Sequence, residues 1–357
     1  MAEHFHALEV AEVVPETDEA VSISFVVPYN LADQFRFKAG QHLTLMSVIG
    51  DEEVRRNYSL CTAPAENKLM VTVKRIAGGV FSNWVADELK PGQRIAVMPP
   101  HGSFTTSFDP AKSRHYVGIA GGSGITPVMS LIRTALSEEP QSRFTLFYGN
   151  RDSSSIIFLE ALAGLKDRYM GRLEIFHFLA EEEGDIDLFN GMLDKARCDE
   201  AIDLLIADPA GVDAWFICGP GPMMDAAEAA LLDRNVDRDR IHIERFTAGR
   251  PSAALAAQMA ELQEKAAGVT LSVTLDGRTR KVAFTEANIL DSARESGLPA
   301  PFACKAGVCA TCRAKVTSGK VEMAARYGLT DEEIAAGYVL TCQSVPVGDG
   351  VAVDYDA

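Results

Sequence analysis

The chain has 357 residues, which is enough for two or three domains. Its apolar fraction of 47% and charged fraction of 24% are ordinary for a globular protein, and its net charge of −16 argues against nucleic acid as a partner. No apolar run reaches the length of a membrane span, and the first residues carry neither the basic nor the apolar region of a secretory signal. We therefore expect a cytoplasmic protein that contacts neither nucleic acid nor a membrane.

Residues 1–108 show the pattern of a small antiparallel barrel. Apolar and polar side chains alternate over residues 21–26, 43–46 and 69–73, and glycine-containing turns separate these runs. Because several short strands follow one another with little helix between them, we predict that the first domain is an antiparallel β-barrel.

Two short motifs of this domain could bind a phosphate. In the first, Arg56, Tyr58 and Ser59 place a cation, an aromatic ring and a hydroxyl close together, although a surface arginine beside a core tyrosine gives the same pattern. In the second, the glycines at 78–79 lead into a predicted helix. The free N–H groups at the start of such a helix can bind a pyrophosphate.

Residues 109–246 change to an order of apolar strand, glycine turn and helix, which predicts a parallel, doubly wound sheet. The strand at 115–120 runs into Gly-Gly-Ser-Gly-Ile-Thr-Pro at 121–127, whose glycines would let the backbone approach a dinucleotide pyrophosphate. Pro127 suits the first turn of the following helix, because a missing N–H costs nothing there. The segment does not read G-x-G-x-x-G, so the ordinary dinucleotide fingerprint does not apply.

Two further features of the middle domain indicate chemistry. Cys218 ends an apolar strand and is followed by glycine and proline at 219–220, and the alternative interpretation is a buried structural thiol. Arg151 precedes three serines that end at Ser155, and an arginine with hydroxyls suits the 2′-phosphate of NADP. An acidic residue would instead suit NAD, and Asp152 adjoins Arg151, so we predict NADPH and keep NADH as a possibility.

The last part of the chain begins with a predicted linker at 247–268. Glycine and proline precede an alanine-rich stretch there, so we expect a flexible connection that contains a marginal helix. From residue 269 onward, alternating side chains and an Asp-Gly turn at 276–277 predict a hairpin. A short helix is predicted over 288–297.

Four cysteines of this region have the spacing of ligands to a plant-type [2Fe–2S] cluster. The spacing is C-x4-C-x2-C followed by one distant cysteine, and the residues are Cys304, Cys309, Cys312 and Cys342. A structural zinc site is the alternative, but zinc usually takes two C-x2-C pairs and the second pair is missing. The other cysteines are widely spaced, which fits a reducing compartment, and we interpret Cys61, Cys198 and the seven histidines as structural.

In this order, the motifs resemble those of the ferredoxin–NADP reductase superfamily, with a plant-type ferredoxin domain added at the C-terminus. The resemblance implies an FAD-binding β-barrel at 1–108, an NAD(P)-binding α/β domain at 109–246, a linker at 247–268 and a β-grasp [2Fe–2S] ferredoxin domain at 269–357. It implies that FAD and the nicotinamide dinucleotide are bound by Arg56, Tyr58, Ser59, Val73, Lys74, Gly79, Val80, Phe81, Ser82, Gly121, Gly122, Gly124, Ile125, Thr126, Pro127, Arg151, Ser155, Gly219 and Pro220.

The resemblance also places Cys218, Glu244 and Phe246 close to the nicotinamide and the flavin, as the catalytic residues. Without the resemblance, an acidic residue two positions before an aromatic one would be an ordinary strand end. A flavin is expected between the other two carriers, because a hydride delivers two electrons and an iron–sulfur cluster accepts one.

The implied function is that of an oxygenase reductase, which passes electrons from NADPH through FAD and the cluster to an oxygenase partner. The motifs and their order look most like those of the reductases that serve the di-iron phenylacetyl-CoA epoxidase of phenylacetate catabolism. The alternative is the reductase of a Rieske ring-hydroxylating dioxygenase or of a soluble di-iron hydroxylase. Two rivals from other classes are a ferredoxin-like carrier with scaffolding domains and a regulatory sensor. A sensor usually carries a nucleic-acid-binding element, and the sequence has no basic helix or stripe.

Overall fold

The computed structural model describes residues 5–246 and 253–357. These residues divide into two compact units, and the boundary in the chain falls between Glu244 and Arg245. The first unit contains two of the three sheets, and the second unit contains the third.

The first unit starts with six strands and a helix: β1 (His6–Thr17), β2 (Ala20–Val26), β3 (His42–Ile49), β4 (Glu52–Ser59), β5 (Leu69–Lys74), α1 (Val80–Glu88) and β6 (Arg94–Val97). The strands pair antiparallel in the order β4-β3-β6-β1-β2-β5. A bridge between Leu60 and Val71 joins the two ends of this order, so the sheet closes into the predicted barrel. Side chains alternate along β1 as expected for a barrel wall. Leu8 and Val10 are buried in the core, whereas Glu9 and Glu12 are exposed to solvent.

A parallel sheet with helices on both faces follows in the same unit. Its elements are β7 (His115–Gly121), α2 (Ile125–Glu138), β8 (Arg143–Asn150), α3 (Leu159–Arg168), β9 (Leu173–Leu179), α4 (Lys195–Leu205), β10 (Ala214–Cys218), α5 (Gly221–Leu232) and β11 (Ile241–Glu244). The strand order is β11-β10-β7-β8-β9. Helices α2 and α3 bury their apolar side chains in one core, and α4 and α5 do so in a second core. The prediction of a doubly wound sheet is confirmed.

The winding direction of this sheet reverses at β7, because β8 and β10 lie on opposite sides of it. In open parallel sheets, ligands bind in the crevice at the carboxyl ends of the strands where such a reversal occurs. Gly121, Cys218 and Glu244 are the last residues of three adjacent strands, so the fold brings them to one edge.

The barrel and the parallel sheet pack directly against each other within the first unit. The hydroxyl of Ser130 in α2 donates a buried hydrogen bond to the carbonyl of Thr62, which follows β4, at 2.6 Å. The rings of Phe104 and Phe216 meet edge to face with their centroids 5.6 Å apart. The crevice at the sheet edge therefore has a fixed relation to the barrel.

The second unit contains a mixed five-stranded sheet. Its elements are α6 (Ala253–Ala266), β12 (Thr270–Leu275), β13 (Arg278–Ala283), α7 (Ile289–Glu295), β14 (Arg313–Met323), α8 (Asp331–Ala335), β15 (Tyr338–Leu340) and β16 (Ser344–Asp354). The order is β13-β12-β16-β14-β15, in which β12 and β16 run parallel. Asn288 caps α7 through a hydrogen bond from the backbone N–H of Asp291, so the predicted short helix begins where its sequence indicates.

The predicted linker differs from the structure over part of its length. Residues 247–252 lie outside the described residues. Residues 253–266 form α6, so the expected helix is present, but it packs on the second unit rather than standing in a flexible connection. Met259 and Ala266 are buried in the core of the second unit, and Leu255 and Leu262 pack against that core. These four residues are spaced four, three and four positions apart, which is the stripe of an amphipathic helix. Packing of this stripe supplies the stability that the alanine-rich sequence lacks by itself.

Within the described ranges, no helix combines the length and the apolar character that a membrane span needs. The cytoplasmic location stays a prediction.

We expect Met259→Ala to destabilise the second unit by about 2–5 kcal/mol, because it leaves a cavity under α6. Hydrogen exchange of the amides in β12 and β16 would measure this loss. The matched control is Gln258→Ala on the exposed face of the same helix, which should change stability by less than about 0.5 kcal/mol. Equal protection in both variants would contradict a structural role for α6.

Candidate functional site

The start of α1 offers backbone N–H groups for an anion. Gly79 is the N-cap and makes no side-chain capping bond, so the N–H groups of the first turn have no acceptor within the helix. Val80 is 54% exposed, whereas Phe81 is buried in the barrel core. The hydroxyl of Ser82 accepts a hydrogen bond from the backbone of Ile76 at 3.1 Å, inside the turn. The site therefore fits a pyrophosphate through the backbone of 79–82 rather than through these side chains.

Aromatic and basic side chains lie beside this turn. The ring of Tyr58 stacks on Phe81 with centroids 5.9 Å apart, and burial raises the pKa of Tyr58 well above its ordinary value. Arg56 is exposed, and its guanidinium donates to the carbonyl of Arg55 at 2.7 Å. Lys74 ends β5, and its ammonium is 3.7 Å from a carboxylate oxygen of Glu19. A ring, two cations and free amides together fit a flavin dinucleotide.

Val73, another residue predicted to bind a cofactor, is fully buried in the barrel core. Its side chain packs in the barrel, so a contact with a cofactor would use its backbone. Ser59, the last of the predicted barrel residues, is also buried, and its hydroxyl points to the parallel sheet.

Two glycine loops touch each other at the edge of the parallel sheet. A Cβ atom on Gly124 would lie 2.0 Å from the carbonyl oxygen of Cys218, and one on Gly219 would lie 2.9 Å from the amide nitrogen of Gly121. Gly122 has a φ of 51°, which favours glycine. A Cβ on Gly121 would meet Pro220 at 2.7 Å. Glycine at these positions allows the close approach of backbone to backbone, and such glycine loops at strand ends suit a dinucleotide pyrophosphate.

The first turn of α2 continues this loop. Ile125 and Pro127 are buried, and the hydroxyl of Thr126 donates to the carbonyl of Ser123 at 3.0 Å. These three residues shape the loop, and their side chains are taken up by packing and by this local bond.

Cys218 and Glu244 are paired neighbours at the ends of β10 and β11. The thiol of Cys218 is fully buried, and burial raises its pKa well above the ordinary value, with the nearby Glu244 carboxylate acting in the same direction. Ser59 of the barrel donates a hydrogen bond of 2.9 Å to the Glu244 carboxylate. A neutral thiol, a carboxylate and a hydroxyl are thus gathered where the barrel meets the sheet. Phe246 belongs to the second unit, where its side chain is 38% exposed.

Two histidines that the sequence indicated as structural lie beside this group. Nδ1 of His42 is 3.6 Å from a Glu244 carboxylate oxygen, and the rings of His42 and His101 meet with centroids 4.2 Å apart. The histidines come from distant parts of the chain, so their spacing carried no signal. The only local hint is that His42 begins a strand in which five of the other seven residues are apolar.

The polar groups of the loop after β8 are bonded to one another and to Glu19 of the barrel. Arg151 is 44% exposed, and it pairs with Asp152 at 2.9 Å and with Glu19 at 3.6 Å. Hydrogen bonds from Ser154 and Arg151 lower the pKa of Asp152 to about 2, so this carboxylate remains charged. The hydroxyl of Ser155 is bonded to the backbone of Asp152. A 2′-phosphate would therefore have to compete with two carboxylates for the guanidinium.

The four predicted cluster ligands come together in the second unit as two pairs of thiols. Cys304 interacts with Cys309, and Cys312 interacts with Cys342. Two bonds hold the distant turn of Cys342 on the loop: Gln343 donates to the carbonyl of Lys305, and Thr341 donates to that of Cys312, both at 2.9 Å. Two pairs of thiolates fit two bridged irons.

Positive φ angles shape this cysteine loop. Lys305, Gly307 and Ala310 have φ angles of 51°, 72° and 54°. This winding points backbone N–H groups at sulfur, and the amide of Ala306 donates to Cys304 at 3.3 Å. Over the described part of the chain, no three His, Cys, Asp or Glu side chains are arranged to hold a single metal ion.

These sites define the class of the protein: it is an NAD(P)H-dependent flavin and iron–sulfur oxidoreductase. Three known domain families match in order, namely the oxidoreductase FAD-binding domain at 9–106, the oxidoreductase NAD-binding domain at 119–229 and the 2Fe-2S iron-sulfur cluster binding domain at 273–347. The expected cofactor-binding domains are thereby confirmed.

Relatives match along the whole chain. A component of the 1,2-phenylacetyl-CoA epoxidase of Escherichia coli (strain K12) is 41% identical, over 99% of this chain and 98% of its own length. The ferredoxin reductase component of the 3-ketosteroid-9-alpha-monooxygenase of Mycobacterium tuberculosis (strain ATCC 25618 / H37Rv) is 38% identical, over 100% and 97%. The structure of phthalate dioxygenase reductase has the same fold, with a TM-score of 0.61, 21% identity and 98% coverage of both chains.

The chain belongs to the ferredoxin–NADP reductase family, as a reductase component of oxygenases. It transfers electrons from NAD(P)H through FAD and a [2Fe–2S] cluster to an oxygenase.

We expect Gly124→Ala to lower kcat/KM for NAD(P)H on the order of a hundredfold, because the new methyl group would displace the turn at 218–219. Steady-state reduction of ferricyanide would measure the effect. Gly164→Ala in α3 is the matched control, since nothing lies within 4 Å of its added Cβ, and it should raise helix stability by about 0.5–1 kcal/mol without changing kcat/KM. Similar kinetics in both variants would contradict the role of the loop contact.

Proposed function

We propose that this chain is the reductase of a phenylacetyl-CoA epoxidase and passes electrons to its di-iron oxygenase component in phenylacetate catabolism. The observation that carries the proposal is the 41% identity to the Escherichia coli epoxidase component, which extends over 99% of this chain and through all three domains. The alternative is the reductase of a Rieske ring-hydroxylating dioxygenase or of a soluble di-iron hydroxylase. The 38% identity to the 3-ketosteroid monooxygenase component supports a partner other than the epoxidase.

In this proposal, each domain has its own role: residues 1–108 bind FAD, residues 109–246 bind the nicotinamide dinucleotide and residues 269–357 bind the cluster. The backbone of 79–82 and the side chains of Arg56, Tyr58 and Lys74 hold FAD. Bound there, FAD would supply the chemistry that accepts a hydride as two electrons and gives those electrons up singly. Cys304, Cys309, Cys312 and Cys342 bind that cluster.

The chain's own catalytic task in the first unit is placement. The touching glycine loops would hold the pyrophosphate of a bound nucleotide, and the Cys218 end of β10 would then line the place of its nicotinamide. Because Cys218 is a buried neutral thiol, it would add no charge there. Glu244 and Ser59 line the barrel side of the same place. The role of Phe246 beside the flavin comes from the resemblance alone.

A partner assay tests the electron path. Cys342→Ser should keep NADPH-dependent reduction of ferricyanide, which takes electrons directly from the flavin, and should lose turnover of a purified phenylacetyl-CoA epoxidase. Cys198→Ser, at a buried thiol in α4, is the control and should keep both activities. Wild-type protein that supports a Rieske dioxygenase but not the epoxidase would overturn the proposed partner.

We further propose NADPH as the preferred donor, because Arg151 lies in the loop after β8, where the family resemblance places the ribose of the nucleotide. Arg151→Ala should lower kcat/KM for NADPH roughly tenfold and leave NADH unchanged, since only NADPH has a phosphate to lose. Glu19→Gln removes a competing carboxylate and should raise the preference for NADPH. A wild-type preference for NADH, or equal losses with both nucleotides, would contradict this assignment.

A further inference from the structure

We propose that His42 is a positioning residue for Glu244, held by Asn57 in the tautomer whose Nδ1–H faces the carboxylate. The inference rests on the proposed function of Glu244, and it concerns a chain of polar groups that runs from the barrel interior to the sheet edge. The members of this chain, named the barrel relay below, are Thr44, Asn57, His42, Glu244 and Ser59.

The hydrogen bonds of the relay have a single direction. The hydroxyl of Thr44 donates to Oδ1 of Asn57 at 2.9 Å, which turns the amide nitrogen of Asn57 to His42. That nitrogen is 3.5 Å from Nε2 of His42. Because an amide N–H can only donate, Nε2 must be the unprotonated acceptor. The proton of a neutral His42 ring is therefore on Nδ1, which faces Glu244 at 3.6 Å.

His101 supports His42 through the backbone, and its own ring N–H is bonded to Pro99 rather than to Glu244. His101 and His42 exchange backbone hydrogen bonds of 2.9 and 3.1 Å, so their rings stay side by side. Nδ1 of His101 is 3.1 Å from the carbonyl of Pro99, and this acceptor requires the proton on Nδ1. Burial lowers the pKa of His101 to about 3, so its ring is neutral at neutral pH.

The backbone of Gly102 packs closely against the imidazole of His42. Gly102 has a φ of 118°, and a Cβ atom at this position would lie 2.8 Å from Nδ1 of His42. A side chain at residue 102 would push the imidazole away from Glu244.

The consequence for Glu244 is that each carboxylate oxygen faces its own donor. Ser59 donates to Oε2, and Nδ1 of His42 faces Oε1. Ser59 holds one oxygen by a hydrogen bond, and the Nδ1–H of His42 attracts the other across 3.6 Å, so these two groups from adjacent barrel strands favour one plane of the carboxylate beside Cys218. Without His42, only the Ser59 hydrogen bond holds the carboxylate, which can then rotate about its last bond.

Histidine side-chain NMR tests the tautomer in the full-length holoprotein, independently of nucleotide and partner. A 15N–1H spectrum of the imidazoles, with the His42 signals identified by their loss in His42→Asn, should show hydrogen on Nδ1 and none on Nε2. Thr44→Val removes the hydroxyl that orients Asn57, so it should introduce Nε2 protonation. Thr72→Val, at another buried threonine of the barrel, is the matched control and should leave the His42 signals unchanged. Protonation of Nε2 in the wild type would overturn the proposal.

Kinetics test the positioning role. His42→Leu should lower kcat for NAD(P)H-dependent ferricyanide reduction about tenfold with KM unchanged, because the bound nucleotide does not depend on this donor. His42→Asn should restore most of the rate, since its amide nitrogen can occupy the position of Nδ1. His115→Leu removes a half-buried histidine that bonds Thr145 and should leave kcat unchanged. Equal rates in the Leu and Asn variants would overturn the positioning role, whereas failure with the epoxidase alone would overturn only the proposed partner.

Discussion

The close contact between the two glycine loops is the constraint on which the first unit depends. A carbonyl of the 218–219 turn occupies the space where a side chain of residue 124 would be, so the ends of β7 and β10 approach as closely as two backbones can. That approach sets where Cys218 and its neighbour Glu244 lie, and therefore where the barrel must offer a donor. Strand pairing holds the sheet together, and this contact sets how closely the two loops approach at the crevice.

The sequence predicted the parts of the molecule that depend on local patterns. Alternation and glycine turns gave the barrel strands, strand–turn–helix order gave the parallel sheet, and the cysteine spacing gave the ligands that the structure gathers in two pairs. The packing of α6 was missed because its stripe of Leu255, Met259, Leu262 and Ala266 is weak without knowledge of the core it meets. His42 was missed because a histidine next to a carboxylate is visible only once the strands are placed.

Residue type alone could not show how the polar groups of the loop after β8 are bonded within the protein. An arginine with three serines suggested a ready phosphate site, yet the structure shows the hydroxyls of Ser154 and Ser155 bonded to Asp152, and the guanidinium paired with Asp152 and Glu19. Glu19 comes from the turn between β1 and β2, so no spacing rule could have included it. The preference between NADPH and NADH therefore depends on how a 2′-phosphate competes with the carboxylates of Asp152 and Glu19 for the Arg151 guanidinium. A local motif does not include Glu19.

The bond between Ser59 and Glu244 has a consequence for how the chain is made. Its partners are 185 positions apart, so closing the loop between them carries a large entropic cost that only the completed sheet can offset. During synthesis, the barrel strands emerge and can fold long before β11 leaves the ribosome. The group of Ser59, Cys218 and Glu244 is therefore complete only when the last strand of the first unit has been made, and a nascent chain that has finished its barrel does not yet contain it.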